Sequence, residues 1–270
     1  MDINQKFSTT MSDKRSLTRL LHVLVLGLFL VLGMTSGTLA APRQTVQVHN
    51  VKELMEALGD HREIVLAPGR YNLSEWLKSP SADRVIHQFE YNSISPSGLY
   101  RVYDELELAG FQDLTIRGQD NGAITAEIVS EDQYLPVLKF RNCRNLRLAH
   151  LQMGHIVARG TCSGAVLYLD AVQDVSLEKL DLYGCGTYGY EARASKNIIL
   201  SDSVIRECTY GLVNAVACQD LKIRRTLFKD THSNLSLFAL SESRLDLQDC
   251  IFQNVYGSIG NVSVTLGHVD

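Results

Sequence analysis

Three consecutive stretches of 23 residues follow one another without a gap, Cys162 to Gly184, Cys185 to Glu207 and Cys208 to Asp230. After one inserted residue, Thr231, a fourth copy begins at His232, and its RLDLQDCIF falls on the frame of DVSLEKLDL. A period of this length marks a solenoid, in which each repeat is one coil whose apolar side chains are buried by the coils above and below it.

The columns of the repeat show what a coil contains. Leu167 and Leu169, Tyr190 and Ala192, Val213 and Ala215, and Leu237 and Ala239 alternate with polar neighbours, and a period of two is a strand. A second alternation places Val175 and Leu177, Ile198 and Leu200, Leu221 and Ile223, and Leu245 and Leu247 inward, and a third runs through Leu182, Ile205, Phe228 and Phe252. Three short strands per coil with no helical stretch between them describe an all-β chain, a parallel β-helix. A leucine-rich repeat needs one long apolar arc per unit, often helical, whereas the second and third strands here alternate cleanly. Asp113, Asn145, Asp174, Asn197 and Asp220 share the turn before the second strand, with Arg244 as the exception. Asn and Asp suit tight turns because their side chains bond nearby backbone and tolerate left-handed φ, so the column reads as a structural ladder rather than a metal site.

The chain has 270 residues and a formal net charge of −4, which argues against electrostatic capture of nucleic acid. Residues 20–34 form an apolar run preceded by Lys14, Arg15 and Arg19 and followed by Thr38-Leu39-Ala40. That is the layout of a secretory signal over residues 1–40, with cleavage after Ala40 and Met11 as an alternative start. The run is short for a membrane span, so no span is expected once it is removed, although an uncleaved anchor is the other reading. Export places the mature chain in a secreted or periplasmic setting. Residues 41–270 then read as one domain.

Asn50 with Glu53 makes a capping-box pattern for a short helix, with Val51, Leu54, Met55 and Leu58 on one face. A solenoid end exposes apolar side chains and strand edges, so this helix is expected to cap the N-terminus. It is followed by Ile64-Val65-Leu66-Ala67-Pro68-Gly69-Arg70-Tyr71. A short helix, I-x-L-x-P-G-x-Y and coils reading [DN]-[VIL]-x-[LI] resemble the right-handed parallel β-helix proteins of the pectin-lyase-like superfamily, over about residues 45–266. The resemblance implies the fold. The N-T-D, D-D, G-H-G and R-x-K motifs of polygalacturonase-type hydrolases have no counterpart here, nor do the W-x-D-H and R-x-P-x-x-R motifs of pectate lyases or the D-P-H of alginate epimerases.

Residues 74–103 interrupt the rhythm and read as a loop insertion, rich in Pro and Ser and carrying Trp76, Tyr91, Tyr100 and Tyr103. Such a loop carries function, or its aromatics only fasten it to the coils.

On the outward side of the first strand the frame predicts two columns. One is Glu107, Lys139, Tyr168, Glu191, Asn214 and Phe238; the other is Ala109, Arg141, Asp170, Arg193, Val216 and Leu240. With coils about 4.8 Å apart, Lys139, Arg141, Tyr168, Arg193 and Asn214 converge on a surface of mixed charge suited to a polysaccharide. An aromatic ring stacks on sugar, while guanidinium and carboxylate groups bond hydroxyls or uronates. Binding without catalysis is the leading reading. The rival is a polysaccharide lyase or glycoside hydrolase using Asp170 and Glu191, two carboxylates in adjacent coils at the spacing glycoside chemistry needs. The plain alternative is a solvated ladder of cross-coil salt bridges. A structural or assembly protein that self-associates through the C-terminal strand, Asn261 to Leu266, is the third.

No cofactor and no metal site are expected: there is no CxxC, and His150, His155 and His232 read as surface residues. Cys162, Cys185 and Cys208 share one column, either as a stack of buried thiols or with one disulfide between neighbours. Tyr188 and Tyr210 sit one residue out of step in successive coils, as packing or as a second aromatic platform.

Overall fold

In a computed structural model, residues 43–91, 98–102, 105–158, 161–184, 187–260 and 262–265 are described. The signal segment at 1–40, Cys185, Tyr103, Asn261 and Leu266 lie outside them. The chain from Arg43 onward forms one compact unit.

The entry to the solenoid is β1 (Gln44–Val48), α1 (Val51–Ala57), β2 (Arg62–Leu66) and β3 (Gly69–Asn72). Asn50 caps α1 as its spacing predicts: its side chain accepts the Glu53 N–H at 2.9 Å, and Glu53 in return accepts the His49 N–H at 2.8 Å. Leu54, Met55 and Leu58 are buried over the first rung, so α1 is the expected cap.

Residues 73–102 are not a plain loop. They contain α2 (Leu73–Leu77), α3 (Pro80–Tyr91) and β4 (Gly98–Val102). Asn72 caps α2 by accepting the Glu75 N–H at 3.1 Å, and Leu73, Trp76, Ala82, Val85 and Ile86 are buried. These apolar residues recur at helical spacing, and Pro80 begins α3, where a proline's missing N–H costs nothing. Trp76 is fastened into the core.

The coils follow: β5 (Glu105–Ala109), β6 (Thr115–Gly118) and β7 (Ala126–Ser130); β8 (Leu138–Arg141) and β9 (Arg144–His155); β10 (Leu167–Asp170) and β11 (Gln173–Tyr183). Next come β12 (Tyr188–Arg193), β13 (Lys196–Ser201) and β14 (Val204–Arg206), then β15 (Gly211–Val216), β16 (Gln219–Arg224) and β17 (Leu227–Ser236). The last coil is β18 (Phe238–Ser241), β19 (Leu245–Gln248) and β20 (Ile251–Ser258), and β21 (Ser263–Thr265) adds one more rung on β19. First strands form a 7-stranded sheet ordered β18-β15-β12-β10-β8-β5-β4, parallel except for β4 on β5. Second and third strands share a 14-stranded sheet. This is a right-handed parallel β-helix.

Four stacked positions in each coil hold a left-handed φ, and all four recur through non-glycine residues. One corner holds Asn142, Ala171, Ala194, Ala217 and Glu242; the next holds Asp113, Asn145, Asp174, Asn197 and Asp220; a third holds His150, Lys179, Asp202, Arg225 and Asp249. The fourth adds Gly184, Glu207, Asp230 and Asn254. The expected ladder is present: the Asn197 amide donates to Asp174 at 2.8 Å, and Asn145 donates to Asp113. Hydroxyls beside the corners accept N–H groups from neighbouring coils, as Ser195 does from Val172 at 3.1 Å and Ser203 from Leu180 at 3.0 Å.

Pairing of Leu167 with Tyr190 and of Tyr190 with Val213 realises the 23-residue step. The fourth copy departs from the expected frame. Val213 pairs with Phe238, not Leu237, so Phe238 is buried and Ala239 takes the outward place opposite Asn214. The added chain is absorbed in β17, where the register against β20 shifts between His232 and Ser236. A shorter turn from Glu242 to Arg244 then restores Leu221 to Leu245. An apolar Leu237-Phe238 pair can be buried in either phase, so alternation alone did not locate the insertion.

Candidate functional site

The outer face of the first-strand sheet gathers the residues that the repeat singles out. Lys139, Tyr168, Glu191 and Asn214 are successive register partners, and so are Arg141, Asp170, Arg193 and Val216. Below Asn214 the columns continue with Ala239 and Ser241 rather than Phe238 and Leu240.

Charge is distributed unevenly along this face. At the N-terminal end Glu107 is buried, and Lys139 Nζ lies 3.2 Å and Arg141 Nε 2.5 Å from its carboxylate. Two cations closing on one buried anion fasten β5 to β8, where β4 also covers the edge. Lys139 additionally stands 5.6 Å from the centroid of the Tyr168 ring, within cation–π range.

The middle of the face is open. Among the described residues, Asp170, Glu191 and Arg193 take part in no ion pair, although Asp170 and Arg193 are register partners. Arg193 is exposed; Asp170, Tyr168, Glu191 and Asn214 are half-buried. Glu191 has only neutral hydrogen-bond partners: Thr187 Oγ1 donates at 3.4 Å, and the Asn214 side chain bonds it as well. Burial pushes the Glu191 carboxyl above its ordinary range, against the lowering by these two bonds. The Tyr168 hydroxyl is raised by burial first and then by the charges of Asp170 and Glu191. It therefore stays protonated as a hydrogen-bond donor. Beyond Asn214 the face leads into a cavity of about 440 Å³ lined by Ser236, Phe238, Ala239 and Ser241 among others.

Asp170 and Glu191 are offset by two positions across adjacent strands. Strand rise and spacing put such Cα atoms about 8 Å apart. Side chains carried at that Cα spacing can bring two carboxyl groups into the range of about 5–10 Å that glycosidic chemistry uses.

Two features escaped the sequence. The Glu107 clamp was legible only as a Glu below a Lys in one column. Thr187 lies four residues before Glu191 in the turn leading into β12 and carries no motif. Tyr188, raised by burial and then by Glu191, closes over Gly211 of the next coil and so packs, as one of its two readings had it. The histidine expectation is corrected for two residues. His150 and His155 are buried, and His155 Nε2 lies 2.9 Å from the Leu135 carbonyl; burial lowers its pKa and favours the neutral ring. His155, at the end of the third strand, turns inward under the loop at 131–137, whereas His150 sits at a corner with its Nε2 3.6 Å from Asp120.

A second network lies on the outer side of the third strands. Glu127 accepts Arg70 Nε at 2.6 Å and the Tyr183 hydroxyl at 2.5 Å, and the Arg206 guanidinium covers the Tyr183 ring at 4.7 Å while pairing with Asp181 at 2.8 and 3.0 Å. Tyr183 lies against Gly154 on its other side, so no ring face is offered to a ligand. Cys143, Cys208, Cys218 and Cys250 are thiols, and Cys162 Sγ donates to the Gly184 carbonyl at 3.3 Å. Among the described residues no group of three or more His, Cys, Asp and Glu side chains is placed to hold a metal ion, and no helix is long and apolar enough to cross a membrane.

No known family profile matches the chain, and no curated protein matches it. Among solved structures it is similar to the alginate lyase from Paenibacillus sp. str. FPU-7, at 12% identity over 83% of this chain and 74% of that one, with a TM-score of 0.47. It is also similar to pectate lyase C from Erwinia chrysanthemi, at 12% identity over 83% of this chain and 65% of that one, with a TM-score of 0.44.

Proposed function

We propose that this is a secreted or periplasmic protein that binds an envelope or extracellular polysaccharide along the outer face of its first-strand sheet, without turning it over. The observation that carries the reading is the open centre of the face. Arg193 is exposed with no ion pair among the described residues, beside a half-buried Tyr168 and neutral Asn214. An exposed cation outside any ion pair is available to a uronate or sulfate, and a ring fixed on a sheet loses little entropy when a sugar stacks on it. Tyr168, Asp170, Glu191, Arg193 and Asn214 are the contacting residues in this reading, with Lys139 and Arg141 acting mainly through Glu107.

Glu191 favours one second reading. A carboxyl raised by burial is suited to general-acid work, with Asp170 as the second carboxyl group across the diagonal, in a lyase or glycoside hydrolase.

Retention on immobilised acidic and neutral polysaccharides decides the first point. Arg193→Ala and Tyr168→Ala are each expected to weaken retention about tenfold, equivalent to about 1.4 kcal/mol. Unchanged retention in both variants would overturn the binding face. Release of reducing or unsaturated ends that disappears in Asp170→Asn would replace binding by catalysis.

A further inference from the structure

We propose that β20 is a docking strip for a second copy of this chain, giving a closed dimer joined at the C-terminal ends of two solenoids.

The strand departs from every long strand before it. Its sequence, IFQNVYGS, contains no charge and no proline, whereas the equivalent third-strand positions in earlier coils carry Asp181, Arg206 and Lys229. Exposed edges in monomeric proteins are ordinarily blunted with charge, proline or a cover. Here Ile251 is 64% and Tyr256 61% exposed, and Leu235 and Ile259 stand beside them at 55% and 40%. One core column shows the same opening. Phe228 is fully buried, while Phe252, its register partner one rung on, is 37% exposed at the end of an aromatic cluster with ring centroids 5.0 Å apart. Among the described residues β20 pairs with β17 alone, and β21 continues β19 instead.

A second copy is the occupant that this composition fits. In a two-fold contact the same patch meets itself, so a strip with a net charge would face the same net charge, whereas a strip without charge meets no such repulsion. Among the described residues the opposite end offers no such apolar strip: its edge strand β1 is exposed through Gln44, Thr45 and Gln47. There β1 and α1 cover the core, with Leu54, Met55 and Leu58 buried beneath. One apolar open end per chain, among the described residues, makes the assembly stop at two rather than grow into a fibre. The first-strand face points away from neither role, since none of its named residues belongs to β20.

Light scattering and sedimentation of the full chain over a wide concentration range test this. Wild type is expected to pass from monomer to dimer, and Ile251→Lys and Tyr256→Lys are expected to weaken association about tenfold or more. Both side chains are exposed in the single chain, so at concentrations where wild type is monomeric the melting temperature and circular dichroism of the variants should match it, which separates lost docking from lost folding. A wild type that remains monomeric throughout overturns the proposal, including the case in which it dimerises only after residues 266–270 are removed. So does a dimer indifferent to both substitutions, or growth beyond two copies.

Discussion

Asp170 and Arg193 are register partners on adjacent coils of the first-strand sheet, and no ion pair joins them. One coil from Asp170 toward the N-terminus, Arg141 of the same column reaches diagonally to the buried Glu107. The two arginines therefore do different work, and substitution separates them.

Arg193→Ala is expected to leave thermal stability unchanged, because it removes an exposed charge without a partner, while lowering polysaccharide retention. Glu107→Ala is expected to cost about 3 kcal/mol, the low end for breaking a buried pair, because it removes the buried anion on which Lys139 and Arg141 both close. Denaturant melts of the two variants check this; equal destabilisation would mean that the face is one structural ladder.

Glu191 gives the fold a pH dependence with a definite sign. Its folded pKa lies above the ordinary 4.5, so the folded state holds the proton more tightly than the unfolded chain does. The stabilisation is fully present below about pH 4.5 and is lost as pH rises through the elevated folded value. Glu191→Gln, which stays neutral, should remove this part of the pH profile and be at least as stable as wild type at neutral pH. Chemical denaturation from acid to neutral pH measures the difference between the two curves.

Gly154 is required by its neighbour. A Cβ there would stand 2.6 Å from two carbons of the Tyr183 ring and 2.6 Å from the Tyr183 carbonyl oxygen. Gly154→Ala should therefore cost about 1–3 kcal/mol, as overpacking does. Removing the ring as well, in Gly154→Ala with Tyr183→Ala, should not rescue it, because the backbone clash remains. Full rescue in the double variant would show that only the ring matters.

Ala194 holds a left-handed φ of 47° at a corner. Relief of that conformation in Ala194→Gly gains about 1–2 kcal/mol. The more flexible unfolded chain returns about 0.4–1 kcal/mol of it. The first effect is the larger, so the variant should melt slightly above wild type; a lower melting temperature would mean that the Ala194 methyl packs.

The sequence by itself determined the coil, its corners and which side chains share a column. A period of 23 with an inner period of two leaves one way to stack Leu167, Tyr190 and Val213, and from there Tyr168, Glu191 and Asn214 must stand in a line. The Asn and Asp corners were legible because those residues favour the left-handed turn, whereas the Ala171, Ala194 and Ala217 corner left no trace, since alanine has no such preference. Tertiary structure decided what spacing cannot encode. It buried Glu107 under two cations, left Arg193 and Asp170 apart, folded residues 73–91 into helices over the first rungs and shifted the last coil by absorbing its extra residues at His232 to Ser236. The reason is that a column fixes only which residues are neighbours. Burial, side-chain reach and the cover supplied by distant segments fix which of those neighbours bind one another and which remain open to a ligand.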